Sequence, residues 1–323
     1  MNTIAEDTPI VTVVGGSGFV GRYIAQAMAK RGWRVRVACR RPNEALFVKP
    51  YGAVGQVEPI QCNIRDDTSI SQVVAGASAV VNCVGILFES GKNKFDAVQA
   101  DGAGRVARLA AEAGASQMVH ISAIGAAAAS PAAYARTKAA GESAISDAFP
   151  GAVILRPSII FGPEDQFFNR FAAMTRLSPI LPVIGADSRF QPVWVQDVAE
   201  AAARAACGAV RPGIYELGGP NTYTFRDLMT LMLKVIKRRR LIANIPFFAA
   251  RLQASVLQML PNPPLTLDQV RMLQTDNVVA DGAKGFPDLG IEPASPESVI
   301  DSYLYAHRPY GQYTALTESG DAP

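Results

Sequence analysis

With 323 residues the chain is about twice the usual single-domain length, which excludes a small disulfide-stapled scaffold and favours a main domain with a smaller companion. Hydrophobic residues make up 49% and charged residues 18%, a balance too apolar for a disordered chain. The net charge of +3 is too small to argue for nucleic acid; none is expected as a partner, and any basic partner surface must be local.

Met1 to Pro9 holds two acids and no basic segment, so no signal peptide is expected there. Ile10 to Val14 is a β-branched run suited to a buried parallel strand, and it leads through a Gly-rich turn into a helix reaching Lys30. The pattern then predicts strands over Arg34 to Ala38, Pro59 to Cys62, Ala79 to Val84, Gln117 to Ser122 and Ala152 to Arg156. Helices are predicted between them over Thr68 to Val74, Val98 to Glu112 and Tyr134 to Ala148. This alternation predicts an α/β fold with a Rossmann-type doubly wound parallel sheet. Beyond Pro157 it weakens. A Pro-rich loop is expected near Pro179 to Pro182, and two returns, Phe190 to Val195 and Gly213 to Leu217, are expected to rejoin the sheet. Helices predicted over Phe225 to Arg239, Phe247 to Leu260 and Leu267 to Leu273 make a smaller, mostly helical C-terminal lobe. The expected division is a Rossmann domain over 9–164 with 190–218 returning to it, a lobe over 165–189 and 219–308, and a polar tail over 309–323. Cys39, Cys62, Cys83 and Cys207 show no metal-ligand spacing, which suits a reduced, intracellular protein.

Gly15, Gly18 and Gly21 stand at GxxGxxG spacing between the first strand and the first helix. Such glycines let the backbone turn tightly, let a pyrophosphate reach the helix N-terminus and let helix and strand pack closely. Gly15, Ser17, Gly18, Phe19, Val20 and Gly21 are therefore expected to hold a dinucleotide. For NAD the second strand would end in an acid that bonds the ribose hydroxyls, but here it ends Ala38-Cys39-Arg40-Arg41. Arg40 and Arg41 suit a 2′-phosphate, so NADPH is the expected cofactor; a merely solvated loop is the other reading of the two arginines. Asn63 and Ile64 end the third strand where an adenine would lie, and Val84 and Gly85, at the end of the fourth, complete the contacts expected from this sheet.

Tyr134 and Lys138 are four residues apart on one helical face, and Ser122 ends the preceding strand. A cationic lysine beside a phenol lowers its pKa from the usual ~10 toward proton exchange with a carbonyl or alcohol, while a serine hydroxyl orients the substrate oxygen. Ser122, Tyr134 and Lys138 are the expected catalytic constellation, with Tyr134 and Lys138 also at the cofactor. With these motifs, Val11 to about Asp197 resembles the short-chain dehydrogenase/reductase superfamily in its extended or atypical branch. In that resemblance Val153 to Pro163 is the segment beside the nicotinamide, which implies cofactor contacts at Pro157, Ser158 and Ile159, and Gln191 to Val198 matches a later strand and helix cap. Asn63 stands where the superfamily often has Asp, and the loop from Ser122 to Tyr134 is short and Ala-rich.

Further segments are similar to the nucleotide-binding accessory subunit of respiratory complex I, NADH:ubiquinone oxidoreductase, in a bacterial form. They are Phe149-Pro150, Arg156 to Asp165, Phe168 to Ala172, and Leu265 to Val270 leading to Thr275-Asp276-Asn277. The resemblance implies a tightly held NADPH of structural role without turnover, and other complex I subunits as partners. It also implies a peripheral place on the hydrophilic arm, at the cytoplasmic face of the inner membrane near the quinone entrance. Lys237-Arg238-Arg239-Arg240 abuts the apolar stretch Leu241 to Leu260, with Phe248, Leu252, Val256 and Met259 on one helical face and Arg251, Ser255 and Gln258 on another. This suits an anionic membrane surface, and equally a solvated helix end beside a core-packed helix; the resemblance points to membrane or subunit contact. His120 and His307 stand apart, so no metal is expected. With Ser122, Tyr134 and Lys138 intact, a free NADP-dependent short-chain oxidoreductase or a nucleotide-sugar epimerase or dehydratase is the alternative, and a redox-sensing binding module is a third reading.

Overall fold

A computed structural model of the chain describes residues 8–309 and Gly311, so the acidic N-terminal residues and most of the 309–323 tail lie outside the described residues. The chain divides into two units: one holds the chain up to Pro157 with Val195–Leu217 and Ala280–Glu292, the other Ser158–Trp194, Gly218–Val279 and the chain from Pro293 on.

In the first unit, β1 (Ile10–Val14), α1 (Phe19–Lys30), β2 (Arg34–Cys39), β3 (Val57–Gln61), α2 (Asp67–Val74), β4 (Ala79–Asn82), α3 (Asp101–Glu112), β5 (Gln117–Ile121), α4 (Ala133–Ala148) and β6 (Val153–Pro157) follow in order. They build a seven-stranded sheet in the order Gly213–Leu217, β6, β5, β4, β1, β2, β3, with every neighbouring pair parallel. The fold is the Rossmann-like α/β arrangement expected from the alternation. Both faces must be covered in such a sheet, which is why its strands read as near-continuous apolar runs. On one face Val14, Ala38, Val80 and Met118 meet Ile70 and Val73 of α2, Val106 of α3 and Ile145 of α4. Helix α1 buries Gly21, Ile24, Ala25, Met28 and Ala29, the spacing of a single helical stripe, and packs against the helix Val195–Ala206. That second helix buries mostly alanines, which allow a close approach. The Asp66 side chain accepts the Thr68 N–H and caps α2.

Strand order reverses between β1 and β4, so a crevice forms at their carboxyl ends. Register places Val14 opposite both Ala38 and Asn82, which brings Gly15, Cys39 and Cys83 to one level just past the sheet. Between β2 and β3 a 3₁₀ segment, Pro42–Tyr51, was not legible as an element; it is held by buried Ala45 and Val48.

The second unit departs more from expectation. Ile180–Ile184, expected as part of a Pro-rich loop, is a strand paired in parallel with Leu241–Ile245, with Pro182 opposite Ala243. A two-stranded ribbon has edges where a residue without N–H is tolerated. The stretch from Leu241 is thereby split into a strand and the helix Phe247–Leu257, divided at Pro246. The helix Phe225–Val235 opens with a Thr224–Asp227 capping box and stops before Arg239, because Lys237 takes a left-handed φ of 52°. Residues 190–195 do not rejoin the large sheet: Arg189–Phe190 pairs with Tyr223–Thr224, and beyond Pro192 Val193–Trp194 pairs with Ile160–Phe161. Gly213–Leu217 does rejoin it. The core of this unit gathers Phe161, Phe168, Phe190, Phe225, Met229, Met232, Ile300 and Leu304. Buried Asp165 ties its loop together, accepting from the N–H groups of Gly162 (3.0 Å), Phe167 (3.0 Å) and Asn169 (3.1 Å) and from the Tyr303 hydroxyl (2.9 Å).

Candidate nucleotide site

The Gly-rich turn is closed by sterics. Gly15 has φ +81°, and a Cβ there would lie 3.0 Å from Val84 Cγ2 and 3.2 Å from Val84 N. A Cβ on Gly21 would overlap the Gly15 carbonyl oxygen and lie 2.7 Å from Gly16 Cα. Gly18 is different: it is the exposed N-cap of α1, and a Cβ there would meet only the Gly15 oxygen at 3.2 Å. No side chain caps α1, so the N–H groups of its first turn, at Phe19, Val20 and Gly21, keep their positive end for an outside acceptor. A shallow backbone cradle at an uncapped helix N-terminus fits a pyrophosphate.

At the end of β2, Cys39 is buried, burial raises its thiol pKa, and the Ser17 side chain hydrogen-bonds its sulfur. Arg40 and Arg41 are exposed, and Arg41 Nη1 is 3.1 Å from Glu44 Oε1. Arg22, which the motif reading passed over, donates from Nε to the Gly18 carbonyl (3.3 Å) and from Nη2 to the Ser17 carbonyl (3.4 Å). Its guanidinium lies 4.5 Å from the centroid of the Phe47 ring. The signal available in the sequence was an arginine directly after the last glycine. Asn63 is engaged locally: its Oδ1 accepts the Arg65 N–H at 3.2 Å and its own N–H donates to Ser69 Oγ at 2.9 Å. Ile64 is buried, and its carbonyl accepts from Arg105 Nη1 at 3.1 Å.

Past β4, the Val84 N–H donates to Asn82 Oδ1 at 3.1 Å, and a Cβ on Gly85 would lie 3.4 Å from Lys138 Nζ. The fold thus brings Gly15, Val84, Gly85 and Lys138 together. Lys138 is buried, donates from Nζ to the Ile121 carbonyl at 2.9 Å, and is lowered by burial to about 8 despite the opposing pull of Glu142 and Cys83. Tyr134 packs edge-on against Phe95 with centroids 6.1 Å apart. The lowering expected for its phenol is reversed: burial of the hydroxyl end pushes Tyr134 up to about 12. Desolvation disfavours the phenolate.

Ser122 Oγ donates to Glu142 Oε1. Glu142 is buried and also accepts from Arg156, with Nε at 2.9 Å and Nη2 at 2.6 Å. Arg156 Nη1 lies 3.4 Å from Glu216 Oε1, and Glu216 Oε2 accepts the Ala280 N–H at 2.9 Å. Glu142 was missed by sequence reasoning, although its place four residues past Lys138 puts it on the same helical face. His120 is buried and held neutral by burial, as a packed residue. Pro157 ends β6 in the first unit, whereas Ser158 and Ile159 open the second. There Asn277 Oδ1 accepts from Ser158 Oγ at 2.7 Å and from the Ile159 N–H at 3.1 Å.

Residues 11–218 match the model of the NAD dependent epimerase/dehydratase family. Over 97% of its length the chain is 34% identical to the mitochondrial NADH dehydrogenase [ubiquinone] 1 alpha subcomplex subunit 9 of Arabidopsis thaliana, covering 82% of that protein. The bacterial form expected from the sequence gains no support from that relative, which is mitochondrial. The chain is also 30% identical to the ceramide reductase of Caulobacter vibrioides over 73% of its own length and 74% of that enzyme. Among solved structures, the Bordetella bronchiseptica enzyme WbmH in complex with NAD+ superimposes with a TM-score of 0.68 at 18% identity, covering 94% of this chain and 99% of that one.

Proposed function

The chain belongs to the NAD dependent epimerase/dehydratase family, and from that premise we propose that it is an NADPH-holding accessory subunit of respiratory complex I that does not turn its nucleotide over. Likeness along nearly the whole chain to a complex I subunit supports the accessory role. The observation that carries the holding role is the bond from Ser122 Oγ to Glu142. A hydroxyl has one hydrogen to donate, and a buried carboxylate is a stronger acceptor than a carbonyl. Lys138, which donates from Nζ to the Ile121 carbonyl, likewise has a partner in the fold. The turn from Gly15 to Gly21 would receive the pyrophosphate and Arg40 a 2′-phosphate. When bound, the nicotinamide supplies hydride chemistry.

The proposal includes a peripheral place at the membrane, which in a bacterium is the cytoplasmic face of the inner membrane. Between Asp227 and Asp268 the sequence has no acid and six Lys or Arg. On the helix Phe247–Leu257 and the turn after it, Phe248 (77% exposed), Leu252 (72%), Val256 (64%) and Met259 (84%) face outward. Part of the basic cluster ties down the fold, since Arg238 donates to the His307 carbonyl (3.1 Å) and Arg240 to the Thr175 carbonyl (2.9 Å), while Arg239 and Arg251 are exposed and are among the charges that would meet an anionic leaflet. No helix among the described residues is long and apolar enough to cross a membrane.

The test is to purify respiratory complex I from the native source and look for this chain, then extract and weigh its nucleotide. Presence in the complex with NADP(H) is expected. Absence from the complex, or NAD(H) as the main species, overturns the corresponding half of the proposal. A free reductase is the second reading, favoured by the likeness to a ceramide reductase and by the presence of Ser122, Tyr134 and Lys138. It would require Ser122 to leave Glu142 when substrate binds.

A further inference from the structure

We propose that Arg176, Arg238 and Arg240, with the exposed Leu177, Ile180 and Leu241 beside them, bind the phosphate and the acyl chains of one anionic phospholipid. The inference rests on the peripheral membrane place proposed above and adds to it a discrete lipid site, on residues other than those of the helix Phe247–Leu257.

Three carbonyls draw the guanidiniums together. Arg176 Nη2 donates to the Ala306 carbonyl at 2.7 Å, and Arg238 Nε donates to the carbonyl of the next residue, His307, at 3.1 Å. Arg240 Nε donates to the carbonyl of Thr175, the residue before Arg176, at 2.9 Å. Thr175 lies in the last turn of the helix Phe168–Leu177, and Ala306 and His307 belong to the 3₁₀ turn Tyr305–His307. The cations are thus oriented by the carbonyls of helix ends. A carbonyl orients a guanidinium without neutralising it. Among the described residues no carboxylate pairs with Arg176, Arg238 or Arg240, and Asp301 is taken by Arg308. Like charges are crowded as a result: the Arg238 pKa is lowered by burial and then by Arg240 and Arg176, and that of His307 by burial and then by Arg176 and Arg238. An oxyanion relieves such crowding. Arg238 bonds only through Nε and Arg176 only through Nη2 among the described residues, which leaves donors on both forks for phosphate oxygens.

A lipid, rather than a free phosphate, follows from what adjoins the arginines. Leu177 comes directly after Arg176 and is 92% exposed, and Leu241 comes directly after Arg240 and is 67% exposed. Leu241 is the register partner of Ile180, 47% exposed, at the start of the two-stranded ribbon, and its N–H donates to the Pro179 carbonyl at 3.1 Å. Register partners stand on one face of a ribbon, so Ile180 and Leu241 make a continuous apolar step. A phosphate on the guanidiniums with its acyl chains on these side chains satisfies both kinds of surface at once.

Soluble lipids below their micelle concentration test a single site without a membrane. Dihexanoyl phosphatidic acid, dihexanoyl phosphatidylcholine and inorganic phosphate are titrated calorimetrically into the purified full chain, with circular dichroism confirming the fold of each variant. Phosphatidic acid is expected to bind at least about tenfold tighter than either of the others, through charge against the first and apolar burial against the second. Arg176→Gln and Arg238→Gln should each weaken it by about 10- to 100-fold, the range of a charge-assisted bond, and exposed Arg239→Gln by less than about threefold. Because the first two variants also give up a bond to the fold, Leu177→Ser and Leu241→Ser carry a second reading. Each should weaken phosphatidic acid by about 3- to 10-fold and leave inorganic phosphate unchanged. No binding of phosphatidic acid, equal affinity for inorganic phosphate, leucine variants that bind like the wild type, or an equal loss in Arg239→Gln overturns the site. Lipid binding by a chain that is absent from complex I overturns the accessory-subunit reading alone and leaves the site standing.

Discussion

Ser122 Oγ donates to the Glu142 carboxylate across twenty residues of chain, and Arg156 clamps both oxygens of the same carboxylate at 2.9 and 2.6 Å. Removing the acceptor leaves a mostly buried guanidinium with Glu216 alone at 3.4 Å. Glu142→Ala should therefore cost about 3–5 kcal/mol of unfolding free energy, the usual result of breaking a buried ion pair from one side. Ser122→Ala removes one donor and should cost about 1–2 kcal/mol. Because the residues share a network, the double mutant should fall short of the sum by roughly 0.5–3 kcal/mol. Urea denaturation of the four proteins measures this cycle; an additive result means that Ser122 is not engaged by Glu142 in solution.

Lys138 gives the stability a pH dependence of known sign. Its folded pKa, about 8, lies below the 10.5 of a free lysine side chain, so between these values the unfolded chain binds more protons. Lys138 therefore costs stability below pH 8, and the cost is relieved as pH rises toward 10.5, by at most about 1.4 kcal/mol per pH unit. Two thiols act the other way above pH 9, since desolvation pushes Cys62 and Cys83 up to about 11 and about 12. The informative quantity is thus the difference between the wild type and Lys138→Met. Stability of the wild type relative to the variant should rise between pH 8 and 10; a flat difference would show that the ammonium is solvated.

Two of the turn glycines, Gly18 and Gly21, should behave differently. A Cβ on Gly21 meets the Gly15 oxygen and Gly16 Cα inside van der Waals contact with backbone that cannot move aside. Gly21→Ala should cost about 1–3 kcal/mol, as overpacking does, and abolish nucleotide binding. Gly18 has a φ of −75° and only one neighbour at 3.2 Å. Gly18→Val should leave the apo protein's melting temperature nearly unchanged while removing the ligand, because its side chain would occupy the cradle. Stabilisation by added NADPH, which follows RT ln(1 + [L]/Kd), should then vanish in both variants. Differential scanning fluorimetry with and without nucleotide distinguishes them, and a Gly18→Val that melts as early as Gly21→Ala refutes the distinction.

The large sheet was legible because buried parallel strands leave unbroken β-branched runs, and Val11 to Val14 or Val80 to Val81 admit little else. Gly15 and Lys138 were likewise readable, one from turn chemistry and the other from helical spacing, and both meet at the sheet's carboxyl end beside Val84 and Gly85. Side-chain direction was not. Tyr134 and Lys138 share a face, yet the sequence does not say that burial sets the direction of the phenol's shift. Glu142 looked like any helix-surface acid until its partners Ser122 and Arg156 arrived from two different strands. The strand Ile180–Ile184 was hidden by Pro182, since its pairing partner Leu241–Ile245 is remote in sequence.

The helix Phe247–Leu257 carries the last prediction, because its burial is inverted. Ala250 and Ala254 are fully buried and pack with Val270, while the larger Phe248, Leu252 and Val256 face outward. Small residues inward let the helix lie close to its support; large ones outward add nothing to the fold and offer an apolar face on the helix that also carries exposed Arg251. Leu252→Glu should therefore change unfolding free energy by no more than about 0.5 kcal/mol, whereas Ala254→Leu should cost about 1–3 kcal/mol through overpacking. Vesicle flotation gives the complementary reading. The wild type should associate with phosphatidylserine-containing vesicles more than with neutral ones, and the preference should weaken with salt, as charges near a leaflet are screened. Leu252→Glu should lose that association while keeping its fold, since the apolar term and the charge term must act together. A Leu252→Glu protein that floats like the wild type, or one that unfolds, would show that this face is not a membrane surface.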